Sequence, residues 1–150
     1  EENSVNAERE KLVNEACAQR EQSYSPYSRF RVGAALLGKS GKTYLGTNVE
    51  NASFGLSICA ERSAVVSAVS AGEQEFVAIA ICADGPKPTA PCGACRQVLL
   101  EFGPEMPVIL AGDDGLAGEI LELTVGELLP HAFFDFTEQL RGNETGKDAQ

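Results

Sequence analysis

The sequence predicts an α/β fold, a three-layer α/β/α sandwich around a mixed sheet, and three observations carry that expectation. Two strand-forming segments joined by a glycine-containing turn form a hairpin, helical and strand-like segments then alternate, and the later strand segments are apolar enough to need cover on both faces. With 150 residues and 43% hydrophobic content, the chain suits one ordinary domain with a substantial core, expected over residues 1–136.

The elements follow in order. Residues 4–20 place Val5, Leu12, Val13, Ala16 and Cys17 on a helical stripe among charges, which predicts an amphipathic first helix with that stripe in the core. Residues 23–29, with Pro26 among tyrosines and serines, are a loop feeding a strand over residues 30–37. The turn from Gly38 to Gly41 then leads to a second strand over residues 43–49, completing the hairpin. After a polar connection over residues 50–57, the Ala- and Val-rich residues 59–71 form a second helix that Gly72 stops. Residues 76–83 are a nearly continuous apolar run, the mark of a strand covered on both faces, and a proline-rich loop over residues 84–91 follows. A third helix over residues 92–102 ends at Gly103 and Pro104, residues 106–111 and 120–124 read as strands, and residues 125–129 as a short helix. The polar residues 137–150 have little to bury and are expected to be a mobile tail, and no internal repeat is present.

Composition narrows the function classes. A formal net charge of −10 opposes wholesale contact with nucleic-acid phosphates and suits a small neutral ligand. No apolar run approaches the roughly 18 residues that span a bilayer, and the charged start of the chain lacks a signal-peptide core, so a soluble cytoplasmic protein is expected. The cysteines Cys17, Cys59, Cys82, Cys92 and Cys95 are odd in number and cannot all pair within the chain, so metal ligands or buried thiols are expected rather than disulfides.

The chemistry concentrates in Cys59-Ala60-Glu61 and Pro91-Cys92-Gly93-Ala94-Cys95, each at the start of an expected helix. Cys92 and Cys95 are three residues apart, so on a helix their sulfurs share a face, and Cys59 can complete a trio from the other helix. A structural zinc takes four protein ligands, whereas a catalytic one keeps three and leaves a position for water, so three clustered cysteines favour catalysis. Glu61 reaches the same site only if Cys59 sits at the helix entrance, before the backbone turns regular. Helix N-termini beside the thiolates help keep them ionised, and Arg62 is placed to donate to a cysteine sulfur and offset the excess negative charge. The plainer readings stand beside these: a Cys-x-x-Cys pair also occurs in redox proteins and zinc knuckles, and Arg62 alone reads as a solvated helix charge. Cys17 and Cys82 read as inert core thiols, and His131, the single histidine, as a surface residue. A non-catalytic zinc-stabilised scaffold, with His131, Cys82 or Cys17 as fourth ligand, is the competing reading from another class.

Taken together with Tyr24-Ser25-Pro26-Tyr27-Ser28, Phe30-Arg31-Val32-Gly33-Ala34-Ala35, Asn48-Val49-Glu50-Asn51-Ala52, Cys59-Ala60-Glu61-Arg62 and Pro91-Cys92-Gly93-Ala94-Cys95-Arg96-Gln97, the chain resembles the small homotetrameric cytidine deaminases with three-cysteine zinc sites. The resemblance runs from about residue 23 to 133. It implies hydrolysis of the 4-amino group of free cytidine or deoxycytidine, in pyrimidine salvage, with one Zn²⁺ per subunit held by Cys59, Cys92 and Cys95. It also implies that Glu61 moves protons while zinc-activated water attacks C4. Asn48 and Glu50 would hydrogen-bond the ribose 3′-hydroxyl, Phe30 would pack on the pyrimidine, and the Ala60 N–H would donate to O2. Without the resemblance, Asn48 and Glu50 read as turn and surface residues, and Phe30 as core. It implies, further, a homotetramer with shared sites, in which Phe133 closes a neighbour's pocket. Phe54 departs from the tyrosine that many relatives carry. A deaminase of a nucleoside-like antibiotic is the nearest alternative activity.

Overall fold

A computed structural model of the chain describes residues 2–134; the expected domain limit at residue 136, Phe136 and the tail over residues 137–150 lie outside them. Among the described residues nine regular elements run in the order α1 (Glu2–Arg20), β1 (Val32–Gly38), β2 (Thr43–Thr47), α2 (Ala60–Ser70), β3 (Phe76–Ala83), α3 (Gly93–Leu100), β4 (Pro107–Ala111), β5 (Ile120–Thr124) and α4 (Val125–Leu128). Two short 3-10 turns, Phe54–Leu56 and Gly115–Ala117, interrupt the connections.

The strands form one sheet in the order β2-β1-β3-β4-β5, parallel only between β3 and β4 and antiparallel elsewhere. Because side chains alternate along a strand, each inner strand feeds two cores. Ala34, Leu36, Ile79, Ile81, Val108 and Leu110 face the layer made by α2, α3 and α4. Ala35, Leu37, Ala78, Ala80, Cys82, Ile109 and Ala111 face α1, which answers with Leu12, Val13 and Ala16. The three-layer sandwich around a mixed sheet is therefore the fold of the chain. Close approach requires glycine at two points: a Cβ on Gly33 would collide with α1 backbone at Ala16 and Arg20, and one on Gly46 with α2 backbone at Ala60 and Ala64.

Differences from the expected elements have local causes. β1 begins at Val32 rather than Phe30, because Arg29 takes a left-handed φ of 58° and the Arg31 N–H goes to the Asp84 carboxylate instead of a ladder carbonyl. β2 stops at Thr47, since Val49 leaves the hairpin to exchange backbone hydrogen bonds with Ile58. Val5 is 48% exposed and not core, because it sits at the sheet rim beside Val77 and Pro107, where α1 overhangs the strand starts. No helix among the described residues is long and apolar enough to cross a membrane.

Candidate active site

Two helix entrances meet at one point. Cys59 and Cys92 occupy the N-cap positions of α2 and α3 with extended backbone (φ −74°, ψ 154° and φ −65°, ψ 165°), and neither helix start carries a side-chain cap. The extended turn at Cys59 brings its sulfur and the Glu61 carboxylate to one side of α2, which a regular helix would forbid at this spacing. Cys95, in the first turn of α3, is fully buried. The Cys59 and Cys92 sulfurs are 3.7 Å apart, and all three sulfurs lie within 4.8 Å of one another.

The surroundings prepare this cluster for a cation. Arg62 Nη2 donates to Cys59 Sγ at 3.5 Å, and the amide-lined ends of α2 and α3 add partial positive charge. The Cys59 thiol is held down at about 5, chiefly because Cys95 donates a hydrogen bond to it and next because Arg62 does. The Cys95 thiol is correspondingly pushed up by its hydrogen bond with Cys59 and by burial. Glu61 is 5% exposed, with Oε2 at 3.4 Å from Cys95 Sγ, and burial raises its carboxyl above the ordinary range.

A cavity of about 290 Å³ opens over the cluster, lined by Phe30, Val32, Asn48, Glu50, Cys59, Ala60, Glu61 and Cys92 among others. It lies at the carboxyl end of β3, the position where open α/β sheets receive ligands, and Ile81 and Ala83 form part of its lining. Ala60 is fully buried at the first helical position, where a backbone N–H lacks an intrahelical partner. Asn48 is largely committed: its Oδ1 accepts from Val32 N–H at 3.0 Å and from the Ser23 hydroxyl, and its Nδ2 donates to the Phe30 carbonyl at 2.8 Å. One Nδ2 proton is left. Glu50 Oε1 accepts from the N–H groups of Tyr27 (3.0 Å) and Ser28 (3.1 Å). The Ser28 hydroxyl, and then these amides, hold the Glu50 carboxyl below the ordinary range. Phe133 does not line its own chain's cavity; it is 57% exposed, and its carbonyl accepts from Gln97 Nε2 at 3.0 Å.

Residues 6–111 match the family model described as the cytidine and deoxycytidylate deaminase zinc-binding region. The chain belongs to this family. Among deaminase relatives, a cytidine deaminase of Halalkalibacterium halodurans is 52% identical over 126 residues, 84% of this chain and 94% of that one. A cytidine deaminase of Mycobacterium tuberculosis is 44% identical over 113 residues, 74% of this chain and 78% of that one. In structure, the crystallised cytidine deaminase of Burkholderia pseudomallei superimposes with a TM-score of 0.77 at 48% identity, over 82% of this chain and 97% of that one.

The deaminase family's zinc fits the residues present. At zinc–sulfur bonds of about 2.3 Å a tetrahedral ion sets its sulfurs about 3.8 Å apart, close to the Cys59–Cys92 separation of 3.7 Å. Among the described residues no fourth ligand joins the trio: Cys82 Sγ donates to the Gly112 carbonyl, and Cys17 hydrogen-bonds Cys82 on the other side of the sheet. His131 is exposed. The scaffold reading thus has no fourth donor here.

Sequence reasoning overlooked part of the lining. Ser28, Val32, Ile81, Ala83, Thr89 and Ala90 also face the cavity. Strand alternation carried the signal for Val32, Ile81 and Ala83, since each stands an even number of residues from a core position facing α2.

Proposed function

We propose that the protein is a zinc-dependent hydrolase that converts free cytidine and deoxycytidine to uridine and deoxyuridine with release of ammonia. The observation that carries this is a buried carboxyl, Glu61, beside a three-sulfur cluster at the base of a nucleoside-sized cavity. In this reading Cys59, Cys92 and Cys95 hold the ion, which supplies a Lewis acid that lowers the pKa of water toward neutrality. Glu61 takes a proton from the attacking water and delivers one to ring N3. It then passes the second to the departing amine, so that one C–O bond forms, one C–N bond breaks and ammonia leaves. Burial raises its carboxyl above the ordinary range, the direction that favours a group which must hold a proton before returning it.

Phe30 packs on the pyrimidine and the Ala60 N–H donates to O2. Asn48, through its remaining N–H, and Glu50, through Oε2, hold the ribose 3′-hydroxyl. Arg62 offsets the charge of three thiolates through Cys59, supported by the 3.5 Å contact. The reading includes pyrimidine salvage in the cytoplasm. A net charge of −10 fits an uncharged nucleoside better than a nucleic acid. Assembly as a homotetramer with shared sites belongs to the same proposal, supported by the exposure of Phe133 and its absence from its own chain's cavity.

The test is ammonia release from cytidine, deoxycytidine, deoxycytidine monophosphate, cytosine and adenosine, with and without a chelator. Chelator-sensitive turnover of the two nucleosides, with cytosine and the nucleotide poor, is the expected result. Turnover confined to a nucleoside-like antibiotic, or none with zinc bound, would overturn the reading.

A further inference from the structure

We infer that Asp84 is a positioning residue for substrate binding: from the far face of the sheet it locks the segment that presents Phe30 to the cavity. The inference rests on the cavity reading above. Val32 and Phe30 line the cavity, and Arg31 between them projects to the opposite face, toward α1. There Asp84 accepts from Arg31 three times, through Oδ2 from the backbone N–H at 2.9 Å and from Nε at 3.0 Å, and through Oδ1 from Nη2 at 3.1 Å. The Asp84 N–H returns a bond to the Arg31 carbonyl at 3.0 Å. Residue 31 is thereby held on both sides of its backbone just where β1 has not yet begun and Arg29 is left-handed.

The carboxylate is anchored in turn. Arg20, the last residue of α1 and 8% exposed, sets Nη1 3.6 Å from Asp84 Oδ1, 3.1 Å from Asp113 Oδ1 and 3.4 Å from the Ala83 carbonyl. Glu21 takes the remaining side of Arg31, with Oε2 3.0 Å from Nη1. None of these charged groups lines the cavity, so none has a direct path to substrate. Two acceptor oxygens on Asp84 match the Arg31 fork, and an amide would set its NH₂ against one of the guanidinium donors.

The experiment compares Asp84→Asn, Phe30→Ala and the double variant for kcat and KM on cytidine, zinc content and Tm. The expected result for Asp84→Asn is a KM raised about tenfold with kcat within about twofold and zinc stoichiometric, because the binding lost is shared equally by ground and transition states. In the Phe30→Ala background the same substitution should change KM by less than about twofold, since its path through Phe30 is gone. A lowered Tm with unchanged KM, or an equal KM rise in both backgrounds, would overturn the inference. If Asp84→Asn does not fold, Arg31→Lys, which keeps the charge and loses the fork, is compared across the same two backgrounds with the same criteria. Phe30→Ala leaving KM unchanged would overturn the cavity reading and the inference with it. A rise in Phe30→Ala with none in Asp84→Asn overturns the inference alone.

Discussion

Single residues divide the site into chemistry and support, and substitution should separate the two. Glu61 touches Cys95 at 3.4 Å and is proposed as the proton carrier, not as a ligand. Glu61→Gln is therefore expected to keep zinc and fold while turnover falls by about 10³-fold, read by ammonia release beside metal analysis; near-normal activity would sink the mechanism. Cys59→Ser, Cys92→Ser and Cys95→Ser should each lose tight zinc. Cys17→Ser and Cys82→Ser should retain it, because those thiols pack in the α1 layer across the sheet from the cluster. Stoichiometric zinc in one of the first three would mean that the ligands are misassigned. The sulfur cluster was legible in the sequence because helix period and motif spacing alone bring Cys92 and Cys95 onto one face. The commitment of Asn48 was not: its partners Ser23 and Phe30 lie in loops and Val32 opens β1, and only the folded chain brings all three to one side chain.

Elements position the site through close backbone contacts as much as through side chains. Gly46 in β2 lets the first turn of α2 lie against the sheet, at Ala60 and Ala64, one residue from Cys59. A methyl there must displace backbone, so Gly46→Ala should cost about 3 kcal/mol of stability and weaken zinc retention together. Gly41, in the hairpin turn at φ 90° with open space around it, provides the control. Gly41→Ala should cost about 1 kcal/mol from the left-handed backbone alone and leave zinc in place. Thermal melts with metal analysis distinguish the two, and a Gly46→Ala protein with full stability and zinc would contradict this account. At this scale the strands Phe76–Ala83 and Ile120–Thr124 were read to the residue, since apolar runs bounded by turns leave little choice. The ends of β1 and β2 were not, because side-chain acceptors and an isolated bridge took over hydrogen bonds that local pattern assigns to the ladder.

For the whole molecule, the three-layer order followed from alternation of helix and strand, while assembly did not, since the phenylalanines Phe133, Phe134 and Phe136 in the sequence suit packing on their own domain or on a neighbour equally well. The proposed tetramer predicts rescue between damaged chains. Glu61→Ala removes the proton carrier and Phe133→Asp spoils the donated wall, so refolding a mixture should regenerate some sites with both native residues. Activity well above either parent is expected, provided Phe133→Asp assembles. A monomer by light scattering, or no rescue in proven mixed tetramers, would refute shared sites. Phe133, 57% exposed and outside its own cavity, then has a thermodynamic consequence. Where a neighbour completes a binding wall, ligand affinity and subunit affinity are linked, and each must strengthen the other by the same factor. Specific activity should decline on dilution as subunits separate, and nucleoside should delay that decline by mass action, drawing the chains back into the form that holds it.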